Sequence, residues 1–138
     1  RGEVADTQAL KAALREGRLR TAVLDTWENE PNIDRALLSL VFLGTPHSAG
    51  YSADGKATGT RMALEHIVRH FELDSRCYER VVPPALPAGY RYFPEGAAAN
   101  TSCEALHRYD PTRDFLALKA HPELFESLRG NYPLRREK

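Results

Sequence analysis

Three things are missing from this sequence: excess charge of either sign, a cysteine framework, and any long apolar run. Lysine plus arginine number 19 and aspartate plus glutamate also number 19, so the formal net charge over 138 residues is zero. No field draws such a chain toward nucleic acid or an anionic membrane, and a small molecule or another protein is the expected partner. Cys77 and Cys103 have no C-x-x-C spacing, which excludes a disulfide framework and a zinc site and leaves two reduced thiols. No apolar run approaches the roughly 20 residues that span a bilayer. The opening Arg1-Gly2-Glu3 is too polar for the apolar part of a signal peptide, so a cytoplasmic location is expected. The chain starts on Arg1 and ends on Arg135-Arg136-Glu137-Lys138 with no stop signal, and it reads as an excerpt of a longer protein.

What is present is enough for a core: 42% of the residues are hydrophobic, which sets whole-chain disorder aside. Asp6 is placed to cap a helix from Thr7 to about Glu16, with Leu10, Ala13 and Leu14 on one face and Gly17 ending it. Thr21-Ala22-Val23-Leu24 is a short apolar run of the kind buried on both faces of a parallel sheet, and it ends in Asp25. A short helix is expected around Ile33 to Leu40, then a second apolar run, Val41-Phe42-Leu43, leading into Gly44-Thr45-Pro46-His47. Strand, helix, strand makes a βαβ unit. From about Ala53 to Phe71 the pattern is helical, with Leu64, Ile67, Val68 and Phe71 forming one apolar stripe.

Between Asp74 and Pro94 the prolines Pro83, Pro84 and Pro87 and the glycine Gly89 mark a linker, with a domain boundary near residue 75. Beyond it, Asp110-Pro111 signals a helix start carrying Phe115, Leu116 and Leu118, and His121-Pro122 opens another carrying Leu124, Phe125 and Leu128 before Gly130. So few apolar residues make a marginal core by themselves, and a partner or further sequence is expected to cover them. His66 and His70, four apart on the long helix, could offer two metal ligands, but no third is evident and a solvated face is expected. Lys56 and Arg61 read as surface charge, and Trp27 as core.

Arg1, Glu30 and His47 stand where a sheet presents residues to a ligand crevice. A neutral histidine can accept a proton from a hydroxyl, and a neighbouring carboxylate orients its ring and stabilises the imidazolium. An arginine offers a planar fork that holds a carboxylate with two hydrogen bonds. Pattern alone leaves the plainer alternative open, with Glu30 a solvated loop residue and His47 a turn residue.

The Arg1-Gly2 segment, the Asp25-x-x-x-x-Glu30-Pro31 run and Thr45-Pro46-His47, in that order and spacing, resemble the D-2-hydroxyacid dehydrogenase family. The resemblance implies an α/β fold: the last part of a doubly wound parallel-sheet NAD-binding domain over 1–52, a crossover helix over 53–74, a Pro-rich linker over 75–96 and a truncated α+β dimerisation domain over 97–138. It implies NAD as cofactor. His47 becomes the proton donor or acceptor, Glu30 its partner, and Arg1 the group that holds the substrate carboxylate and touches the cofactor. Asp25 falls on a contact to the nicotinamide-ribose region, Gly50 on another cofactor contact and Tyr51 on a substrate contact. Tyr51 with Gly55-Lys56-Ala57 is similar to one branch of the family, which acts on a phosphorylated 2-hydroxy acid and carries an added dimerisation domain. Tyr109-Asp110, Arg113-Asp114 and the run from Phe125 to Glu137 resemble that added domain, and a homodimer is implied, although Pro133 departs from its pattern. No G-x-G-x-x-G occurs, so the pyrophosphate-binding helix start is expected upstream of Arg1. Two other readings stay open: a relative acting on phosphoglycerate or hydroxypyruvate, and a non-catalytic dimerisation module.

Overall fold

Local capping signals set the helix starts. The structure, a computed structural model, describes residues 1–86, 88 and 109–136. Asp6 accepts a hydrogen bond from the Ala9 N–H at 2.7 Å and opens helix α1, Thr7–Arg15, after a single 3-10 turn over Gly2–Val4. Gly17 follows α1 with φ of 70°. Asp34, which receives the Leu37 N–H at 2.8 Å, caps helix α2, Arg35–Leu40. Ser52 accepts from the Gly55 N–H at 2.9 Å and starts helix α3, Ala53–His70. A short helix α4, Arg76–Glu79, stands where the sequence reading has only linker. Asp110 caps α5, Pro111–Ala120; a 3-10 turn, Pro122–Leu124, then leads into α6, Phe125–Gly130.

The two strands are β1, Val23–Leu24, and β2, Leu43–Gly44, paired in parallel with Val23 opposite Leu43 and Leu24 opposite Gly44. With α2 between them they form the expected βαβ unit, and the chain is α/β. Val23 and Phe42 correct one expectation: they are 63% and 72% exposed, so the runs are not buried on both faces. Among the described residues α5 packs against β2. Leu24 and Leu43 pack against the core and Gly44 is buried, whereas Val23 and Phe42 are exposed.

Contacts divide the chain into two compact units. The first combines Arg1–Ala49 with Asp110–Tyr132, and the second combines Gly50–Tyr109 with Pro133–Lys138. The units are thus discontinuous along the chain, whereas the sequence reading laid its segments out in succession. The reason lies in the core of the first unit, where Phe115, Leu118 and Phe125 join Trp27, Ile33, Leu37, Leu38 and Val41. The apolar residues of α5 and α6 find their cover there. Leu116 and Leu124 do not, and remain exposed.

In the second unit the start of α3 is tied down. The Ala53 N–H donates to the Arg135 carbonyl at 2.8 Å, and Arg136 donates from Nε to Asp54 at 2.9 Å and from Nη1 to the Pro84 carbonyl at 3.1 Å. Farther along, Val68 is buried but Ile67 and Phe71 are exposed, so the described residues cover only part of the stripe. No helix among them is long and apolar enough to cross a membrane. The expectations attached to Pro87, Gly89, Pro94, Cys103, residues 97–108 and Glu137 lie outside the described residues.

Candidate active site

Asp25 and Thr45 are the first residues after the two parallel strands, at the edge where an α/β sheet opens to a ligand. The main chain keeps the strands in register past their ends: the Thr45 N–H donates to the Leu24 carbonyl at 2.9 Å and the His47 N–H to the Asp25 carbonyl at 2.8 Å. The Asp25 carboxylate then gathers the turn that follows β2. Its Oδ1 accepts from Thr45 Oγ1 at 2.6 Å, the Ser48 N–H at 2.8 Å and the Ala49 N–H at 3.1 Å, and Oδ2 receives the Ala49 N–H at 3.2 Å. His47 within that turn has φ of 54°. A non-glycine residue holds this conformation only where its neighbours enforce it.

Glu30 faces His47 across 2.8 Å, carboxylate Oε2 to ring Nδ1. The other carboxylate oxygen, Oε1, accepts the Trp27 N–H at 2.7 Å, and the Glu30–Pro31 peptide bond is cis. Trp27 closes the circuit, because its indole Nε1–H donates to the Thr45 carbonyl at 2.9 Å. The side chains of His47 and Glu30 are 29% and 19% exposed, so the pair is held from behind and open in front. A carboxylate on Nδ1 fixes the proton there and leaves Nε2 as the nitrogen able to exchange a proton with a ligand.

Trp27 is core, as its sequence context suggests, and it is also what locates Arg1. A Cβ on Gly2 would lie 1.9 Å from the Trp27 carbonyl oxygen, and one on Gly44 would lie 2.6 Å from the indole ring. Only glycine admits such close approach at either position. The first contact sets the Arg1-Gly2 segment against the loop that carries Glu30, and Arg1 is exposed there. Arg1, Asp25, Glu30 and His47 therefore all belong to the first unit. Gly50 and Tyr51 belong to the second, where Lys56 Nζ lies 4.1 Å from the centroid of the Tyr51 ring. That places Lys56, read from sequence as plain surface charge, against an aromatic face, a favourable cation–π arrangement. Thr45 as a partner of Asp25 and Gly2 as a partner of Trp27 were also missed. No local signal announces a pairing across 20 or more residues.

Residues 1–49 match the family model described as D-isomer specific 2-hydroxyacid dehydrogenase, NAD binding domain. Over nearly its whole length the chain is similar to erythronate-4-phosphate dehydrogenases. It is 51% identical to the protein of that name from Bacteroides fragilis, covering 99% of this chain and 37% of the relative. The Bacteroides thetaiotaomicron protein is 53% identical with the same coverage, and the Porphyromonas gingivalis protein is 43% identical, again over 99% of this chain and 37% of the relative. The chain thus spans a little over a third of the length of the curated relatives it matches.

Proposed function

We propose that this chain is part of an NAD-dependent dehydrogenase that oxidises 4-phospho-D-erythronate at its 2-hydroxyl to 2-oxo-3-hydroxy-4-phosphobutanoate, a step toward pyridoxal 5'-phosphate. The observation that carries the reading is the Glu30–His47 pair at 2.8 Å, at the carboxyl ends of two parallel strands in a stretch matching an NAD-binding family. Similarity to three proteins named for this substrate selects it over phosphoglycerate or hydroxypyruvate. The strand-end position suits a nicotinamide nucleotide, the ligand that such sheets bind there.

Bound NAD supplies the acceptor for the hydride that leaves carbon 2. His47 Nε2 takes the hydroxyl proton as the carbon–oxygen double bond forms, and Glu30 stabilises the resulting imidazolium. The two electrons and the hydrogen leave together as hydride and the proton leaves through the ring, so the oxidation balances. Arg1 holds the substrate carboxylate. Gly50 and Asp25 fall to the cofactor and Tyr51 to the substrate. By function, residues 1–52 end the NAD-binding domain, 53–74 form the crossover helix of a doubly wound fold, 75–96 are linker, and 97–138 are a truncated dimerisation domain. Exposed Leu116 and Leu124 support a homodimer through the last of these. A cytoplasmic location fits a small-molecule dehydrogenase.

The test uses the complete protein. NADH formation is followed with 4-phospho-D-erythronate, 3-phosphoglycerate and glycerate, and the first should give the highest kcat/KM. His47→Asn should lower kcat/KM by about 10²- to 10⁴-fold, the range for losing a general base. Near-normal turnover by that variant would move the chemistry to other residues.

A further inference from the structure

Four hydrogen bonds converge on one carboxylate next to the acid–base pair, and the catalytic assignment leaves them unused. Asp25 belongs to β1's end, while all the donors belong to the turn 45–49: Thr45 Oγ1, the Ser48 N–H and the Ala49 N–H, the last within reach of both oxygens. Between these donors sits His47, whose backbone is in the left-handed region at φ of 54°. The His47 N–H itself donates to the Asp25 carbonyl at 2.8 Å. One residue therefore grips the turn two positions before the histidine, at it and immediately after it.

From this geometry we infer that Asp25 is the positioning residue for His47: its carboxylate holds the 45–49 turn in the conformation that aims Nδ1 at Glu30. The claim rests on the assignment of His47 as the acid–base group, and it concerns how that ring is held. A carboxylate whose oxygens are filled by backbone and hydroxyl donors of the turn acts on the reaction through His47. Ser48 is buried, so its N–H needs an acceptor, and a charged one binds it most strongly. Without it the Ser48 and Ala49 N–H groups lose their partner and the left-handed turn loses what enforces it. The ring then drifts from Glu30, and its proton is no longer fixed on Nδ1.

The geometry also ranks the substitutions. Three of the four hydrogen bonds end on Oδ1, so Asp25→Asn keeps an acceptor where Thr45, Ser48 and Ala49 need it. Asp25→Ala removes everything. Thr45→Val removes one donor and leaves the two backbone donors in place.

The experiment measures two quantities on the complete protein and these variants: steady-state kinetics with NAD and the 2-hydroxy acid, and the ring ¹⁵N shifts of His47. The shifts report which nitrogen carries the proton, and His47→Asn identifies the signal. Asp25→Ala should lower kcat at saturating NAD about 10²-fold, the scale of a misaligned reacting group, beyond the rise in KM for NAD that loss of its cofactor contact brings. It should also move the His47 proton from Nδ1 toward Nε2. Asp25→Asn should stay within about tenfold of the parent, since a neutral acceptor keeps part of a charge-assisted bond, and it should keep the Nδ1–H form. Thr45→Val should shift both readouts in the same direction by less, and it carries the test if Asp25→Ala does not fold. A raised KM for NAD with kcat preserved, or equal losses in Asp25→Ala and Asp25→Asn, would show that the carboxylate serves the cofactor alone and overturn the inference. If the parent oxidises no 2-hydroxy acid, the dehydrogenase reading fails. The ring shifts then decide by themselves whether Asp25 positions His47: an unchanged Nδ1–H form in Asp25→Ala refutes it.

Discussion

The two compact units solve the burial problem differently. In the first, Trp27, Phe115, Leu118 and Phe125 share one core, and Asp25 and Glu30 each accept hydrogen bonds through both carboxylate oxygens. In the second, the 18-residue helix α3 is anchored at its first turn by Ser52, Asp54, Arg135 and Arg136, yet Met62, Ile67 and Phe71 stay exposed farther along. A proton-transfer site needs groups held in fixed geometry, and the acid–base pair stands in the unit that supplies it. The exposed side of α3 contributes no comparable constraint among the described residues.

The largest effect should come from removing the centre of the first core. Phe125 is fully buried, and Phe125→Ala should cost about 3 to 5 kcal/mol, the usual range for a core phenylalanine, read as a lower urea midpoint. A loss below 1 kcal/mol would mean that α6 is not part of that core. Next comes Gly44→Ala. Its Cβ would fall 2.6 Å from the Trp27 ring, and overpacking of this kind costs about 1 to 3 kcal/mol. Trp27 is the sole tryptophan, so its fluorescence should shift with the loss of stability. An unshifted spectrum with parental stability would show that the ring has room.

A smaller effect, dependent on pH, belongs to the link between α1 and α2, where Lys11 pairs with the capping residue Asp34. Partial burial raises the Asp34 pKa, but hydrogen bonding to the Lys11 ammonium and to the Leu37 N–H, together with the ammonium charge, outweighs it. The net shift is downward from the usual 3.8. A carboxylate lowered in this way stabilises the fold above its unfolded pKa, and the contribution fades as pH falls through the folded value. Asp34→Asn keeps a good helix cap and loses the ion pair. It should therefore be less stable than the parent by about 1 kcal/mol or less near neutrality, with the gap closing below pH 3.8. Chemical denaturation at both pH values checks this, and a gap that widens in acid contradicts it. The smallest effect is expected in the second unit: Ile67→Ala should change stability by no more than about 0.5 kcal/mol, as for an exposed site. Should it cost as much as Phe125→Ala, something covers that face and the contrast between the units disappears.

Most of the elements were readable in advance. Asp6, Ser52 and Asp110 sit three or fewer positions from the N–H groups they cap, so the residues that make each helix start are printed side by side. Arg1, Glu30 and His47 were marked by the resemblance of the Arg1-Gly2, Asp25-x-x-x-x-Glu30-Pro31 and Thr45-Pro46-His47 runs to the D-2-hydroxyacid dehydrogenase family, and Glu30 and His47 lie 2.8 Å apart. Burial was read less well. Val23 and Phe42 lie in apolar runs that look interior by composition, but the face each residue turns to depends on what packs over the strand.

Periodicity and capping, being local, were settled by the sequence itself: where α1, α3 and α5 begin, that a strand, a helix and a second strand follow α1, and that a histidine follows the second strand. What required the tertiary structure is every relation between residues distant in the chain. The sequence has no means of saying that Asp110–Tyr132 packs with Arg1–Ala49, because Phe115, Leu118 and Phe125 are apolar in any partner's core. Nor does it show that Asp25 spends both oxygens on the turn carrying His47, since a carboxylate at a strand end serves a ligand or a neighbouring turn equally well. Gly2 and Gly44 mark the limit most plainly. Each is glycine because Trp27 lies where a Cβ would be, and that reason exists only once the chain has folded.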